Sequence, residues 1–164
     1  MKHTIAILVK DHPGVLARVS SLFNRRRFNI ESIAAGHSEK KGITRITIVT
    51  EGDENILEQI TKQLNKLVDV LRVRDLPKDT SVERELALIK VRTRSTDQRT
   101  EIMQLIEAFR GHIVDIGKQA LTIEITGTQE KINGKLKLLE SFGILEISRT
   151  GKVSLSRGAT RILN

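Results

Sequence analysis

Cysteine, tryptophan and tyrosine are absent from this sequence of 164 residues, and proline occurs only twice. Without cysteine the chain has no disulfide, no thiolate nucleophile and no thiolate metal ligand, a composition that fits a reducing compartment. The apolar run from Ile5 to Val9 stops at Lys10, which makes it too short for a signal peptide or a membrane span. We therefore expect a cytoplasmic protein with no membrane partner.

Positive charge exceeds negative charge, because 28 Lys and Arg stand against 20 Asp and Glu, a net charge of +8. Such a balance suggests nucleic acid as a partner, since basic side chains release counterions from phosphates. The basic residues are dispersed, however, and four phenylalanines supply little surface on which bases could stack. Zinc-finger spacing and a basic region followed by heptads are both absent. The composition therefore favours a solvated basic surface over nucleic-acid binding.

The first half of the sequence predicts elements in the order βαββαβ. Turn residues bound β-rich or alternating apolar runs that predict strands at Thr4 to Lys10, Ile30 to Ser38, Ile43 to Thr50 and Val70 to Val73. Apolar residues at helical spacing predict helices at Val15 to Phe23 and Ile56 to Leu67.

The same order returns in the second half. Strands are predicted at Leu86 to Thr93, Ile113 to Ile116, Ala120 to Thr126 and Ile144 to Ser148, and helices at Ile102 to Phe109 and Ile132 to Leu139. The repeat predicts an α+β fold of two ferredoxin-like modules, each an antiparallel sheet of four strands with two helices on one face.

Composition sets the expected domain boundaries. Residues 77–85 are polar and begin with the second proline, which indicates a linker between modules at 1–76 and 86–149. Residues 150–164 contain glycine and are basic, which predicts a tail that is a candidate for ordering on a partner.

Motifs that carry catalysis are missing from the sequence. It contains no GxSxG, GxxxxGK[ST], GxGxxG or HExxH, and its four histidines form no i, i+4 pair that would suggest a metal site. Adjacent carboxylates such as Asp53 and Glu54 fall in turns or in the linker, where caps and solvated charge explain them. We interpret the chain as a binding or regulatory module rather than an enzyme.

The turn from Asp11 to Leu16 joins the first strand to the first helix. Backbone N–H groups near Gly14 lie at the positive end of the helix dipole, where a carboxylate can dock. Asp11 adds a negative charge nearby, and Gly14 lacks a Cβ that would keep a ligand away. Together they suit a zwitterion such as a free amino acid. The alternative is a purely structural turn in which Asp11 caps the helix, Pro13 fills its first turn and Gly14 closes the bend.

The segment from Ile30 to Ser38 is expected at a sheet edge, because this topology gives the strand order 4-1-3-2. Only Glu31 is charged before the turn, so the edge is weakly protected against pairing. Two copies that pair this edge across a two-fold axis would bring Asn29 and Ile30 of one chain near the Gly14 turn of the other. Such a dimer would have two equivalent ligand sites.

The sequence resembles the small subunits of acetohydroxyacid synthase, also called acetolactate synthase, over nearly its whole length. The resemblance begins in the N-terminal ACT domain of that family and continues to the end of the chain. It rests on Asp11-x-Pro13-Gly14-Val15-Leu16, Arg18-Val19, Leu22-Phe23, Phe28-Asn29-Ile30-Glu31-Ser32, Gln63-Leu64-x-Lys66-Leu67-Val68-x-Val70, Val82-Glu83-Arg84-Glu85-Leu86, Phe109-Arg110-Gly111-x-Ile113-Val114-Asp115, Gly127-Thr128 and Ser156-Arg157-Gly158.

This resemblance implies an N-terminal ACT domain, a C-terminal ACT-like domain and a regulatory subunit with no catalytic residues. Such a subunit binds and activates a catalytic large subunit and confers feedback inhibition by valine or a related amino acid in valine, leucine and isoleucine synthesis. The cofactors, thiamine diphosphate, Mg and FAD, are expected on the catalytic subunit and none on this chain. By the same resemblance, the effector binds between the ACT domains of a homodimer. The matching positions are Asp11, Pro13, Gly14, Val15 and Leu16 of one chain and Asn29 and Ile30 of the other.

Two positions depart from the family pattern. Asp11 stands where many members carry Asn, which adds a charge to the expected site. Arg27 stands where a glycine usually precedes the aromatic residue, so an easy left-handed stop for the first helix is absent. The other function class that remains open is a stand-alone tandem-ACT regulator that senses an amino acid and acts on nucleic acid.

Overall fold

The computed structural model describes residues 1–163, which divide into two compact units. The first unit is discontinuous in sequence, because it combines Met1–Glu83 with the chain from Lys152 onward. The second unit is Arg84–Gly151. This division differs from the expected linker and tail, since residues 81–85 already lie in a strand and the last residues pack within the first unit.

The first unit has the predicted βαββαβ order. Its elements are β1 (Lys2–Lys10), α1 (Val15–Arg25), β2 (Ile30–His37), β3 (Ile43–Glu51), α2 (Glu54–Leu64) and β4 (Val70–Asp75). The antiparallel sheet has the order β2-β3-β1-β4, which confirms the predicted edge position of β2. Ile5, Ile7 and Val9 alternate along β1 toward the buried faces of α1 and α2, where they form the main core.

The end of α1 is fixed by a Schellman motif. The Phe28 N–H donates to the Phe23 carbonyl and the Arg27 N–H donates to the Asn24 carbonyl, each at 3.0 Å. Arg27 has a φ of 57°, in the left-handed region that glycine usually occupies. The rings of Phe23 and Phe28 pack edge to face with their centroids 6.3 Å apart. Arg27 therefore makes the left-handed stop that the absence of glycine is expected to remove.

The opposite face of the first sheet is covered by the end of the chain, which we call the C-terminal segment (residues 152–163). Ile162 packs against Ala6, Leu8 and Leu76 in a second, smaller core. The segment includes β9 (Val153–Ser156), and its main-chain groups form hydrogen bonds with the rest of the first unit. Its Lys152 N–H donates to Ser32 Oγ at 3.0 Å, Arg45 Nη2 donates to the Ser154 carbonyl at 2.7 Å, and the Arg157 N–H donates to the Thr80 carbonyl at 2.9 Å. The predicted tail is thus an ordered part of the first unit.

The second unit repeats the arrangement. Its elements are β5 (Ser81–Arg92), which begins in the first unit, α3 (Thr96–Ala108), β6 (His112–Ile116), β7 (Ala120–Gly127), α4 (Gln129–Leu139) and β8 (Ile144–Arg149). The order β6-β7-β5-β8 matches that of the first sheet.

Two arginines have structural roles in the second unit. Arg149 donates hydrogen bonds to the two carboxylate oxygens of Glu85 at 2.7 Å each, and this hydrogen bonding raises the pKa of the Arg149 guanidinium. Arg110 ends α3 with a φ of 56°, so both units stop their first helix with an arginine in the left-handed region.

We expect Arg27→Gly to stabilise the protein. A side chain in the left-handed region costs roughly 1–2 kcal/mol, whereas glycine loses about 0.5–1 kcal/mol through its freedom in the unfolded chain. The net gain in the free energy of unfolding should be about 0.5–1 kcal/mol by chemical denaturation. The control is Arg25→Gly, at the last residue of α1, where φ is not in the left-handed region. This change should lower the free energy of unfolding, and a gain in both variants would contradict this account.

The C-terminal segment should contribute measurably to stability through Ile162. This side chain is 7% exposed, so Ile162→Ala removes buried contacts and should lower the free energy of unfolding by about 2 kcal/mol. Leu155, which is 61% exposed in the same segment, is the matched control. Leu155→Ala should change stability by less than about 0.5 kcal/mol, and a comparable loss in both variants would show that the packing of Ile162 is not the cause.

Candidate functional site

The predicted turn lies at the end of β1. The Asp11 N–H donates to the Gly42 carbonyl at 2.9 Å, which ties the turn to the β2–β3 hairpin. The chain then bends through His12 and Pro13 to Gly14, which has a φ of 87° and directly precedes α1. A residue with a Cβ would be strained in this conformation, so the bend explains the glycine. Leu16 continues into the first turn of the helix.

The N-terminus of α1 is capped by no side chain. Gly14 is the N-cap residue, so the alternative in which Asp11 caps the helix is wrong, and Pro13 precedes the helix rather than filling its first turn. The first turn also carries no acidic residue. The other helices differ in this respect, because side chains of Asp53, Ser95 and Thr128 accept hydrogen bonds from the backbone at the starts of α2, α3 and α4. The backbone donors of α1 are therefore available to an external carboxylate.

The two apolar residues of the predicted site play different parts. Val15 is 4% exposed and belongs to the main core of the first unit. It can offer a ligand only its backbone. Leu16 is 46% exposed beside it, so its side chain is free to contact an apolar group. The apolar wall of the site on this chain is thus Leu16 alone.

Asp69 holds the turn in place from the loop before β4. Its carboxylate lies 2.7 Å from His12 Nε2 and 2.8 Å from Arg18 Nη2, and its carbonyl accepts the Lys10 N–H at 2.9 Å. Sequence reasoning missed Asp69, because nothing in the spacing of a residue so far along the chain connects it with the turn. The carboxylate of Asp11 lies on the other side, 3.3 Å from the Nδ1 atom of His37 at the end of β2.

Asn29 and Ile30 lie at the far end of the sheet from this turn. Both β2 and β1 run antiparallel to β3, so they run parallel to each other. Ile30 and His3 pair with the same residue, Thr50, which places the start of β2 level with the start of β1. The Asn29 carbonyl accepts the Thr50 hydroxyl at 2.7 Å. One chain alone therefore does not bring Asn29 and Ile30 to Gly14.

Within residues 1–163, no group of three or more histidine and carboxylate side chains is placed to hold a metal ion. Over the same range no helix is both long and apolar enough to cross a membrane.

Two family profiles match the chain, one in each half. Residues 5–72 match the profile described as "AHAS small subunit-like ACT domain". Residues 84–158 match the profile described as "Small subunit of acetolactate synthase". Together they cover both predicted modules.

Curated proteins and a solved structure agree with these profiles. The chain is 54% identical to the "Probable acetolactate synthase small subunit" of Methanothermobacter thermautotrophicus, covering 96% of this chain and 94% of that protein. It is 53% identical to the "Acetolactate synthase small subunit" of Mycolicibacterium smegmatis, covering 95% and 91%. The crystal structure of the acetolactate synthase small subunit from Thermotoga maritima superposes with a TM-score of 0.91 at 42% identity, covering 98% of this chain and 99% of that one.

Removing the Asp69 carboxylate should loosen the turn. Asp69→Ala leaves His12 and Arg18 without their acceptor, and loss of hydrogen bonds to a charged group that is 14% exposed should cost about 1.5–3 kcal/mol in the free energy of unfolding. The control is Glu58→Ala, which breaks an exposed i, i+4 pair with Lys62 and should cost less than about 0.5 kcal/mol. Denaturant titrations measure both, and equal losses would mean that Asp69 has no special role.

Proposed function

Since the chain belongs to the family of acetolactate synthase small subunits, we propose that it acts in branched-chain amino acid synthesis as the regulatory subunit of that enzyme. In this role it binds the catalytic large subunit, raises its activity and makes it sensitive to valine or a related amino acid. Thiamine diphosphate, Mg and FAD belong to the catalytic subunit in this proposal. The chain itself supplies the sensor.

The observation that carries the sensor role is the uncapped N-terminus of α1 beside the half-exposed carboxylate of Asp11. Backbone N–H groups after Gly14 offer donors to the carboxylate of an amino acid, and no side chain competes for them. Asp11 offers an acceptor for the ammonium group at the same turn. A zwitterion places its carboxylate at the backbone donors and its ammonium group at Asp11. A simple anion would have no positive group to offset the negative charge of Asp11.

Two copies of the chain complete the site in this proposal. The strand β2 is at the edge of its sheet, and antiparallel pairing with a second β2 would set the start of one strand beside the end of the other. The end of β2 is where His37 meets Asp11. Asn29 and Ile30 of the second copy would therefore lie next to the Gly14 turn of the first copy. Within one chain the same two residues are far from that turn. A two-fold axis gives two such sites.

A ligand that touches both copies favours the relative orientation of the two copies in which it fits best. If the catalytic subunit binds that orientation with a different affinity, effector and catalytic subunit are coupled. Such coupling free energies are typically ~1–3 kcal/mol, or about 5- to 150-fold in affinity. We assign contact with the catalytic subunit to the second unit. The C-terminal segment, basic as it is, is already packed on the first sheet.

The apolar contacts set the choice of amino acid. Leu16 of one copy and Ile30 of the other are the side chains available to the aliphatic group of the effector. Each buried methylene is worth ~0.8 kcal/mol, so such a pocket would separate valine from alanine by roughly tenfold and would discriminate leucine or isoleucine by shape. Valine is the effector that we propose.

Valine should bind the wild-type protein in isothermal titration calorimetry and inhibit the assembled enzyme, and Gly14→Asp should abolish both effects. Aspartate tolerates the left-handed conformation better than most residues, so the fold should survive while a fixed carboxylate occupies the place of the ligand's own. Gly158→Asp is the matched control, because Gly158 also has a positive φ and open space around it. It should bind valine like the wild type. Valine inhibition that persists in Gly14→Asp, or an obligate monomer in solution, would refute the site.

A further inference from the structure

The second unit has an open cleft of about 580 Å³ at the corner where the β5–α3 loop, the β6–β7 turn and the start of β8 meet. Arg92, Thr93 and Arg94 line one side of it, and Gln119 and Leu145 line others. Its volume is in the range of small-molecule sites. No function assigned above uses this cleft.

The cleft is built on a rigid frame. The Thr93 N–H donates to the Gln119 carbonyl at 2.8 Å, which joins the loop to the turn. From α3, Arg99 Nη2 donates to the carbonyls of Gly117 and Lys118 at 2.9 Å each and so holds the turn from beneath. The backbone of the loop and of the turn is therefore held in place before any ligand arrives, which limits the backbone entropy lost on binding.

The charge of the cleft has one sign. Arg92 and Arg94 are exposed, and neither side chain has a hydrogen bond or ion pair with another residue of the described chain. Of the described residues that line the cleft, none is acidic. Arg92 ends β5 and Arg94 lies in the loop after it. Two unpaired guanidinium groups on one cleft point to a ligand with more than one negative charge.

The corresponding corner of the first unit has the opposite chemistry. There the helix start is uncapped and Asp11 is close by. In the second unit Ser95 caps α3 by accepting the Gln98 N–H at 3.2 Å, and Gln98 Oε1 accepts the Arg94 N–H at 2.7 Å. The helix start of the second corner is thus capped by a side chain and carries Asp97 in its first turn, and the described residues that line the cleft include two arginines and no carboxylate.

We propose that this cleft is a binding site for a small phosphorylated anion. Arginine pairs with phosphate through two parallel hydrogen bonds, and a phosphate group with two negative charges matches the pair of Arg92 and Arg94. The site is separate from the valine site of the first unit and does not depend on it. It gives the second unit a ligand of its own.

The test uses the full-length chain and pyrophosphate as the probe, followed by isothermal titration calorimetry at low salt. Wild type should bind with one site per chain, and the double variant Arg92→Gln with Arg94→Gln should bind at least tenfold more weakly. The matched control is Arg25→Gln with Arg26→Gln, which changes net charge equally but lies in the first unit. It should bind like the wild type. No binding by the wild type, or equal losses in the two double variants, would overturn the proposal.

If the Arg92 and Arg94 variant loses only affinity for the catalytic subunit, while pyrophosphate does not bind the wild type, the cleft is a protein interface and the proposal is wrong.

Discussion

The burial of β1 on both of its faces is the constraint on which the first unit depends. Seven consecutive residues of this strand are buried, with helices over one face and the C-terminal segment over the other. A strand held in this way cannot slip in register without exposing its side chains. Its end therefore delivers Asp11 and Gly14 to a fixed place, where Asp69 and His37 hold the turn from two sides. The buried and paired strand thus fixes the position of the uncapped helix start that follows it.

The order of the elements and the edge position of β2 were predictable, because hydrophobic periodicity and the rules of sheet topology determine them. The cap of α1 was not. Aspartate and glycine are both good N-cap residues, and the choice depends on where the helix begins, which is Val15 in the structure. The expected linker was also wrong at residues 81–85, which lie in a strand whose buried side chains there, Ser81 and Glu85, are polar. An argument from composition does not recognise such a strand.

Contacts between residues far apart in sequence account for the rest of the difference. The Asp69 carboxylate pairs with the side chains of His12 and Arg18, and no local sequence pattern predicts such a pairing. Ile162 is an apolar residue in a basic segment of sequence, yet it packs on the face of the first sheet opposite the helices. The two units show how little the fold itself dictates chemistry. They share the strand order and the left-handed arginine after the first helix. The corner of the first unit suits a zwitterion, whereas in the second unit a serine caps the helix and two arginines line the cleft, which suits an anion.

The discontinuity of the first unit has a consequence for biosynthesis. Because its sheet is completed by residues that follow the second unit in the sequence, the ribosome must make residues 84–151 before Ile162 can cover Ala6 and Leu8. Until then the nascent first unit carries an uncovered apolar patch, a surface that chaperones or a second nascent copy can reach. Residues that are translated after the second unit thus complete the fold of the first unit.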